Sequence, residues 1–378
     1  MQKEIKYIGF YDLPDSFPKR AADLPATNKM DYICDALQRA GYDVHVVSPS
    51  CFIDPNAGWK QQTTVHLGPH KKLTLCPSWG TRNKWTRNIK VVFSLFWLFC
   101  YLVAHVKKGE KILVYHSPWL SLSIRMAKLI KGFHLILEVE EIYGDVSSLN
   151  KYFDVMENAL IQSADSYLFS TELLSERVGS NKKNCLIYGI YRAADKIANP
   201  IEDGKIHLLY AGIIDTHKMG AFNAIECTRY LSSDYVLHVI GFGDTEKLCR
   251  RIDELNHCNA CKILFDGTKS GDDYLRYSQG CYIGLSTQKM GGKYLETSFP
   301  SKILSYLCMG LHVVSCYVDC VSKSKIHSLM NYYYADTPEA IAHAIRSVDL
   351  TAEFDSRSVI RQLDEQFIKE IKDLVEEY

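Results

Sequence analysis

The chain has 378 residues, more than one comfortable core and enough for two domains of ordinary size. Lysine plus arginine and aspartate plus glutamate each total 44, so no global charge recruits nucleic acid or an acidic surface, and any basic patch is local. Thirteen cysteines, an odd count scattered through apolar segments such as Leu98-Phe-Cys100 and Tyr306-Leu-Cys308, read as buried thiols and not as a disulfide framework.

Residues 1–10 are a charged lead-in to a first strand at 5–10 and carry no apolar signal core, so the expected compartment is the cytoplasm. A polar loop with Arg20 and Pro25-Ala-Thr-Asn-Lys29 precedes a helix at 30–40, closed by Gly41, and a second strand at 42–48. Strand, loop, helix and strand in that order belong to a parallel α/β sheet. Thr27, Asn28 and Lys29 then lie at the carboxyl end of strand one, where open sheets bind ligands. A plain helix cap by Thr27 or Asn28 explains them equally well.

The segment 91–104 is apolar but shorter than the ~20 residues of a spanning helix. Lys84, Arg87 and Lys90 precede it, and Lys107 and Lys108 follow. It reads first as a buried helix. The second reading rests one face on a membrane through 71–108, because aromatic and basic residues mix at its ends.

Residues 111–115 form a strand ending at His116, which either lines a ligand site or is structural. A helix through Met126 and Leu129 and a strand at 133–137 lead into Glu138-Val-Glu140-Glu141. Three carboxylates within four residues are costly to hold together unless cations or a ligand share the space. Alternation puts Glu138 and Glu140 on one face, as general base, hydroxyl ligand or partner for a cation. A helix at 151–163 and a strand at 166–170 complete this half. The polar run 195–204, with Pro200, reads as the interdomain linker. The expected domains are therefore 1–195 and 196–355, with 356–378 as a helix packing back across their junction.

The second half restarts the pattern with a strand at 207–212, a loop holding Asp215 and Lys218, and a helix at 222–230. A buried strand at 235–243 opens onto Gly241 and Gly243. Glu246 occupies the place of a third glycine, so a dinucleotide fingerprint is incomplete. A strand at 262–268 ends in Asp266-Gly267-Thr268. A helix around 274–277 and a strand at 281–286 follow. Cys258 and Cys261 have half the spacing of a zinc knuckle with no second pair, so no metal is expected.

From 296 to 315 the chain reads as loop, helix, turn and strand. Pro300 keeps the preceding residue extended, Ser301 is placed to cap, and Ile303, Leu304, Tyr306 and Leu307 share one face. Lys302 in the first turn opposes the helix dipole unless an anion sits there; an ordinary loop–helix–strand connection with a solvated lysine explains it equally well. The tail carries Ile360, Leu363, Phe367, Ile371 and Leu374 on one helical stripe.

The order Tyr-Ala-Gly212 with Lys218, Val-Ile-Gly-Phe-Gly243, Phe-Asp-Gly-Thr268 and Phe-Pro-Ser-Lys-Ile-Leu-Ser-Tyr-Leu-x-x-Gly310 resembles the C-terminal domain of GT-B glycosyltransferases, especially family 4. The Lys29-Met30 unit and Glu138-Val-Glu-Glu-Ile-Tyr143 extend the resemblance over nearly the whole chain. It implies two Rossmann-like parallel-sheet domains facing a cleft, and a metal-independent, retaining transfer from a nucleotide-diphosphate sugar, UDP-linked, with no cofactor. The acceptor would be a polysaccharide or a lipid-linked saccharide, as in capsule or cell-surface glycan synthesis at the inner face of the membrane.

The resemblance assigns Lys218, Ser301 and Lys302 to the diphosphate, Asp266, Gly267 and Thr268 to the border of the base, and Gly212, Gly241 and Gly243 to close approach of the donor. Glu138, Glu140, Glu141 and His116 are the catalytic candidates, and Thr27, Asn28 and Lys29 the acceptor side. The chain departs from the family at Ile213 and Ile214, where an arginine would stand. It departs again at Thr297 and Ser305, which replace paired glutamates, with Glu296 one place out of register. A non-catalytic, nucleotide-sugar-binding paralogue or subunit is the alternative. An epimerase of the same fold is a third.

Overall fold

A computed structural model of the chain describes residues 3–146, 151–179, 181–291 and 297–376, which form two units. The first unit comprises Met1–Ile187 with Gln366–Tyr378, and the second Tyr188–Glu365.

The first unit is built on strands β1 (Lys3–Ile8), β2 (Tyr42–Ser48), β3 (Thr63–His66), β4 (Lys71–Leu75), β5 (Lys111–Tyr115), β6 (His134–Val139), β7 (Ser166–Phe169) and β8 (Asn184–Leu186). They form one sheet in the order β3-β4-β2-β1-β5-β6-β7-β8, parallel except for the β3–β4 pair. The central strands are near-continuous apolar runs, with Ile5, Val44, Val46, Ile112, Val114, Leu135 and Leu137 all buried, as a sheet covered on both faces requires. Its helices are α1 (Leu24–Arg39), α2 (Lys84–His105), α3 (Ser121–Lys131), the single turn α4 (Tyr143–Val146), α5 (Lys151–Ser163) and α6 (Glu172–Val178).

Helix α1 begins six residues earlier than the sequence pattern suggests. Asp23 caps it by accepting from the Ala26 N–H, and Pro25 sits in the first turn, where its missing N–H costs nothing. Thr27, Asn28 and Lys29 are therefore helical and not in a loop. Helix α2 likewise begins well before the apolar segment 91–104, capped by Asn83, and ends at His105 just beyond it.

The second unit holds β9 (Ile206–Ile214), β10 (Tyr235–Gly243), β11 (Lys262–Phe265), β12 (Ile283–Ser286), β13 (His312–Cys316) and β14 (Met330–Tyr333) in an all-parallel sheet ordered β11-β10-β9-β12-β13-β14. Its helices are α7 (Gly220–Glu226), α8 (Thr245–Cys258), α9 (Gly271–Gln279), α10 (Ser301–Met309), α11 (Asp319–Ser322), α12 (Pro338–Arg346) and the first part of the long α13 (Ser356–Glu376), which belongs to the first unit from Gln366 onward. The strand order reverses between β9 and β12. Such a switch point is where open α/β sheets take their ligands, at the carboxyl ends of the strands.

The polar run 195–204 is built into the second unit and does not hang free as a linker. The Ala194 N–H donates to Cys308 O at 2.8 Å, the Ile197 N–H to Gln279 Oε1 at 2.9 Å and the Ile201 N–H to Gly280 O at 2.9 Å. Composition reads side chains as solvated, but these backbone donors hold the segment down. On α13, Ile360, Leu363, Phe367, Ile371 and Leu374 are all buried, so the amphipathic stripe is a packing face. Residues through Glu365 count with the second unit and Gln366 onward with the first, where Phe367 stacks on Tyr32 at 5.8 Å.

Candidate functional site

In the second unit, Tyr306 sets the position of α10. Its ring lies over Gly284 of β12, where any Cβ would overlap it. Its hydroxyl receives the Ala211 N–H of β9 at 2.9 Å and donates to Leu285 O at 3.3 Å. One side chain thus ties α10 to both strands at the switch point. The helix then carries Lys302 back across β9. A Cβ on Gly212 would come within 2.8 Å of Lys302 Nζ, and the φ of 148° there favours glycine, so the lysine lies close over β9 at this point.

The Lys302 ammonium stands 5.2 Å from the centre of the Tyr210 ring. Burial, and after it the charge of Lys218, holds its pKa below the ordinary lysine value. It has no hydrogen-bond acceptor or carboxylate partner among the described residues. The two cations repel each other where a ligand is expected. Lys218 itself is exposed, on the loop between β9 and α7, and its carbonyl receives the Lys289 N–H at 2.9 Å. Met219, next to it, adopts a left-handed φ of 58°, the one described non-glycine residue to do so. A strained backbone at such a loop is a feature of ligand sites that no sequence pattern signals.

Ser301 is the first residue of α10. Pro300 takes the cap position and no side chain caps the helix, so first-turn N–H groups are not consumed by a capping residue. Ser301 and Ser305 are both exposed, and the Ser305 hydroxyl donates to the Ser301 carbonyl at 3.1 Å. Thr297 is buried, and Glu296 lies outside the described residues.

Gly241 and Gly243 have a reason other than room for a ligand. A Cβ on either would overlap a carbonyl oxygen of the adjacent strand, at Gly212 and Ile214 respectively, and both take positive φ. They let β9 and β10 stay paired to their tips.

Asp266 follows β11, and its carboxylate accepts from the Tyr277 hydroxyl. The chain of contacts continues from Tyr277 Oη to His238 Nδ1 (2.7 Å), from His238 Nε2 to His207 Nδ1 (2.8 Å) and from His207 Nε2 to Asp203 Oδ1 (3.0 Å). Burial lowers the pKa of His238, and its bond to His207 lowers that of Asp203. Asp266 is thus engaged within its own unit. Gly267 follows with a left-handed φ of 63°, and Thr268 opens a polar hollow of about 500 Å³ lined also by Lys269, Ser270, Asp273, Arg276 and Tyr277.

In the first unit a carboxylate site forms at the carboxyl end of β6. Glu138 is fully buried, and its Oε2 accepts from the Tyr7 hydroxyl. Burial, then the charge of Glu140, pushes its pKa well above the carboxylate range, which favours the protonated form; Lys29 and Tyr7 oppose that shift. Lys29 reaches from α1 to pair with Glu140 and donates to Ile187 O at 3.0 Å. The sequence puts Glu138 and Glu140 on one face and anticipates a cation, and the structure supplies Lys29.

Glu141 is half-buried beside them. His116 is buried, T-shaped against Tyr143 at 5.6 Å and 3.4 Å from Glu157. Burial holds its pKa down to about 4, leaving a neutral imidazole. Thr27 is buried on α1 and Asn28 is exposed.

No protein-family model matches the sequence, and no curated protein matches it. Solved structures do. An α,α-trehalose 6-phosphate synthase from Burkholderia multivorans superposes with a TM-score of 0.66 at 12% identity, over 99% of this chain and 95% of that one. The lipopolysaccharide outer core galactosyltransferase WaaB superposes at 0.65 with 15% identity, over 98% of each chain. The trehalose-6-phosphate protein of E. coli, solved with UDP-2-fluoro glucose bound, superposes at 0.63 with 11% identity, over 98% and 99%. The chain has the GT-B fold. In GT-B terms the Lys302–Gly212 crossing belongs to the C-terminal sheet and the Glu138–Glu140–Lys29 group to the N-terminal one.

Proposed function

We propose that the protein is a glycosyltransferase of the family 4 type that moves a sugar from a UDP-linked donor to a saccharide or lipid-linked saccharide. The observation that carries this reading is Lys302, desolvated beside Lys218 at the switch point, with no carboxylate partner among the described residues. A half-buried cation without a counter-ion is costly, and a diphosphate would supply one. The UDP-2-fluoro glucose of the similar E. coli protein supports the choice of nucleotide.

In this reading the two lysines and the first-turn N–H groups of α10 stabilise the charge that grows on the leaving diphosphate, the work a metal does elsewhere. The polar hollow at Thr268 takes the base end of the donor. In the N-terminal unit, Glu140 and Lys29 accept and donate to acceptor hydroxyls, and Glu138, buried against Tyr7, lies behind them. The sugar is transferred with retention at the anomeric carbon.

A second reading, a nucleotide-sugar-binding subunit without turnover, draws on Ser305, whose hydroxyl is spent on its own helix. The test is release of UDP from UDP-glucose, UDP-galactose and UDP-N-acetylglucosamine, with saccharide acceptors and with a chelator present. UDP release that Lys218→Ala abolishes supports transfer. UDP binding with no release from any donor supports the second reading.

A further inference from the structure

Between Lys71 and Lys131 the sequence carries twelve lysines and arginines against one acid, Glu110, in a chain whose totals balance. Glu110 is neutralised by Lys6. Much of this stretch forms α2 and α3, which pack with α5 on one side of the first unit. Ser123 Oγ of α3 donates to Leu95 O of α2 at 2.8 Å, and Ser121 Oγ to Met156 O of α5 at 2.6 Å.

Helix α2 is long and apolar enough to cross a membrane, but its buried stripe, Lys90, Ser94, Leu98, Tyr101 and Leu102, belongs to the core of this unit. Lys90 Nζ donates to Phe52 O at 2.6 Å and to Trp79 O at 3.0 Å. Crossing a bilayer would dismantle those contacts. The opposite stripe is left bare: Trp85 is 77% exposed and Phe96 62%, with Ile89 and Val92 between them. Trp119, Leu122, Met126 and Leu129 extend the bare surface over α3, and Tyr152 and Val155 over α5. A groove of about 510 Å³ runs between the helices, lined by Leu95, Phe96, Phe99, Leu122, Met126 and Phe153 among others. An apolar surface continuous over three helices marks an interaction site.

The surrounding charge identifies the occupant. Arg82, Lys84 and Arg87 cluster at the start of α2, Lys107 and Lys108 follow its end, and Arg125 and Lys131 lie on α3. Of the neighbouring acids, Glu157 of α5 is buried and receives the Tyr143 N–H at 2.9 Å, Asp165 binds Lys128, and Asp154 of α5 is half-buried, which leaves the cations in excess. A second copy of the same face would oppose cations to cations. An anionic lipid surface meets the same cations with opposite charge, and exposed Trp85, Trp119 and Tyr152 are the ring types that settle at headgroup depth.

We propose that this face docks the first unit on an anionic lipid bilayer, with the groove between α2, α3 and α5 taking an acyl chain. Docking is peripheral, with the sheet outside the hydrocarbon.

The test is flotation with vesicles of phosphatidylcholine alone and with about a third phosphatidylglycerol, without nucleotide or sugar, so that it is independent of the transfer reaction. The full chain floats with the anionic vesicles, and less so as salt rises. Phe96→Glu with Leu122→Glu, and separately Lys84→Glu with Arg87→Glu, each lower the bound fraction about tenfold or more, with an unchanged melting temperature. Bromine-labelled acyl chains in the same vesicles quench the tryptophan fluorescence of the unsubstituted protein, a readout that needs no variant to fold. Absence of flotation, flotation indifferent to Phe96 and Leu122, or no quenching would overturn the proposal. So would an oligomer in vesicle-free buffer that the Phe96 and Leu122 changes disperse, since the face would then be a protein interface.

Discussion

Replacing Lys302 with methionine keeps an unbranched stem out to the position of Cε but removes the ammonium and its charge. In the free protein that charge is desolvated, lies near Lys218 and has no anionic partner among the described residues. Its removal therefore stabilises the second unit. The expected gain is about 1 kcal/mol, which for a domain of this size raises the melting temperature by roughly 2–4 °C.

The gain has a pH signature. The folded-state pKa of Lys302 lies below the ordinary 10.5, so the unfolded chain binds more protons than the folded one between those two values. Wild-type stability rises with pH across that window. The advantage of Lys302→Met is thus complete at neutral pH and fades as pH climbs through the lowered pKa toward 10.5. UDP affinity moves the other way: loss of a charge-assisted contact to phosphate costs about 1–3 kcal/mol, or roughly five- to two-hundred-fold in Kd. Differential scanning fluorimetry at pH 7 and pH 10, with and without UDP, reads both quantities. A variant that melts lower than wild type and binds UDP equally well would refute the reasoning, because Lys302 would then be a structural cation.

Glu138→Gln exchanges the buried carboxyl for a neutral isostere and should leave the fold intact. Because the folded pKa of Glu138 is raised, wild type loses stability relative to the variant as pH rises above 4.5, by about 1.4 kcal/mol per unit of the shift until the folded pKa is reached. Melting temperatures of the pair should coincide near pH 4 and diverge by pH 7; equal curves throughout would mean that Glu138 is ionised in the fold. Gly284→Ala forces a methyl into the Tyr306 ring, and overpacking of this kind costs about 1–3 kcal/mol. Urea unfolding should show that loss, and UDP affinity should fall with it because α10 carries Lys302. Tyr277→Phe strips the hydroxyl that links Asp266 to His238 and should cost about 1–3 kcal/mol in the same assay.

Element type was legible wherever the apolar period was strong. Residues 235–243 and 151–163 coincide with β10 and α5, and the buried face of α10 is the one its spacing indicates. The start of α1 was not, because Pro25, Thr27 and Asn28 are turn formers by composition. Asp23 followed by a proline in the first turn is the helix-start signal that could have moved the boundary. Strand order is a tertiary property and leaves no periodic trace, so the switch point between β9 and β12 emerges only from the sheet. Lys302 stood out as a cation at a helix start, yet its close passage over Gly212 was invisible. So were Tyr306 as the tie and Met219 as the strained neighbour. Gly241 and Gly243 suggested ligand approach, and the structure gives each a neighbouring carbonyl instead.

The central claim is that the C-terminal sheet holds a nucleoside diphosphate through Lys218 and Lys302. Isothermal titration of the whole protein with UDP, GDP and CDP in metal-free buffer addresses it directly. The account predicts that UDP binds and that Lys218→Ala and Lys302→Met each weaken it. Failure of all three diphosphates to bind, or UDP binding indifferent to both lysines, would contradict it.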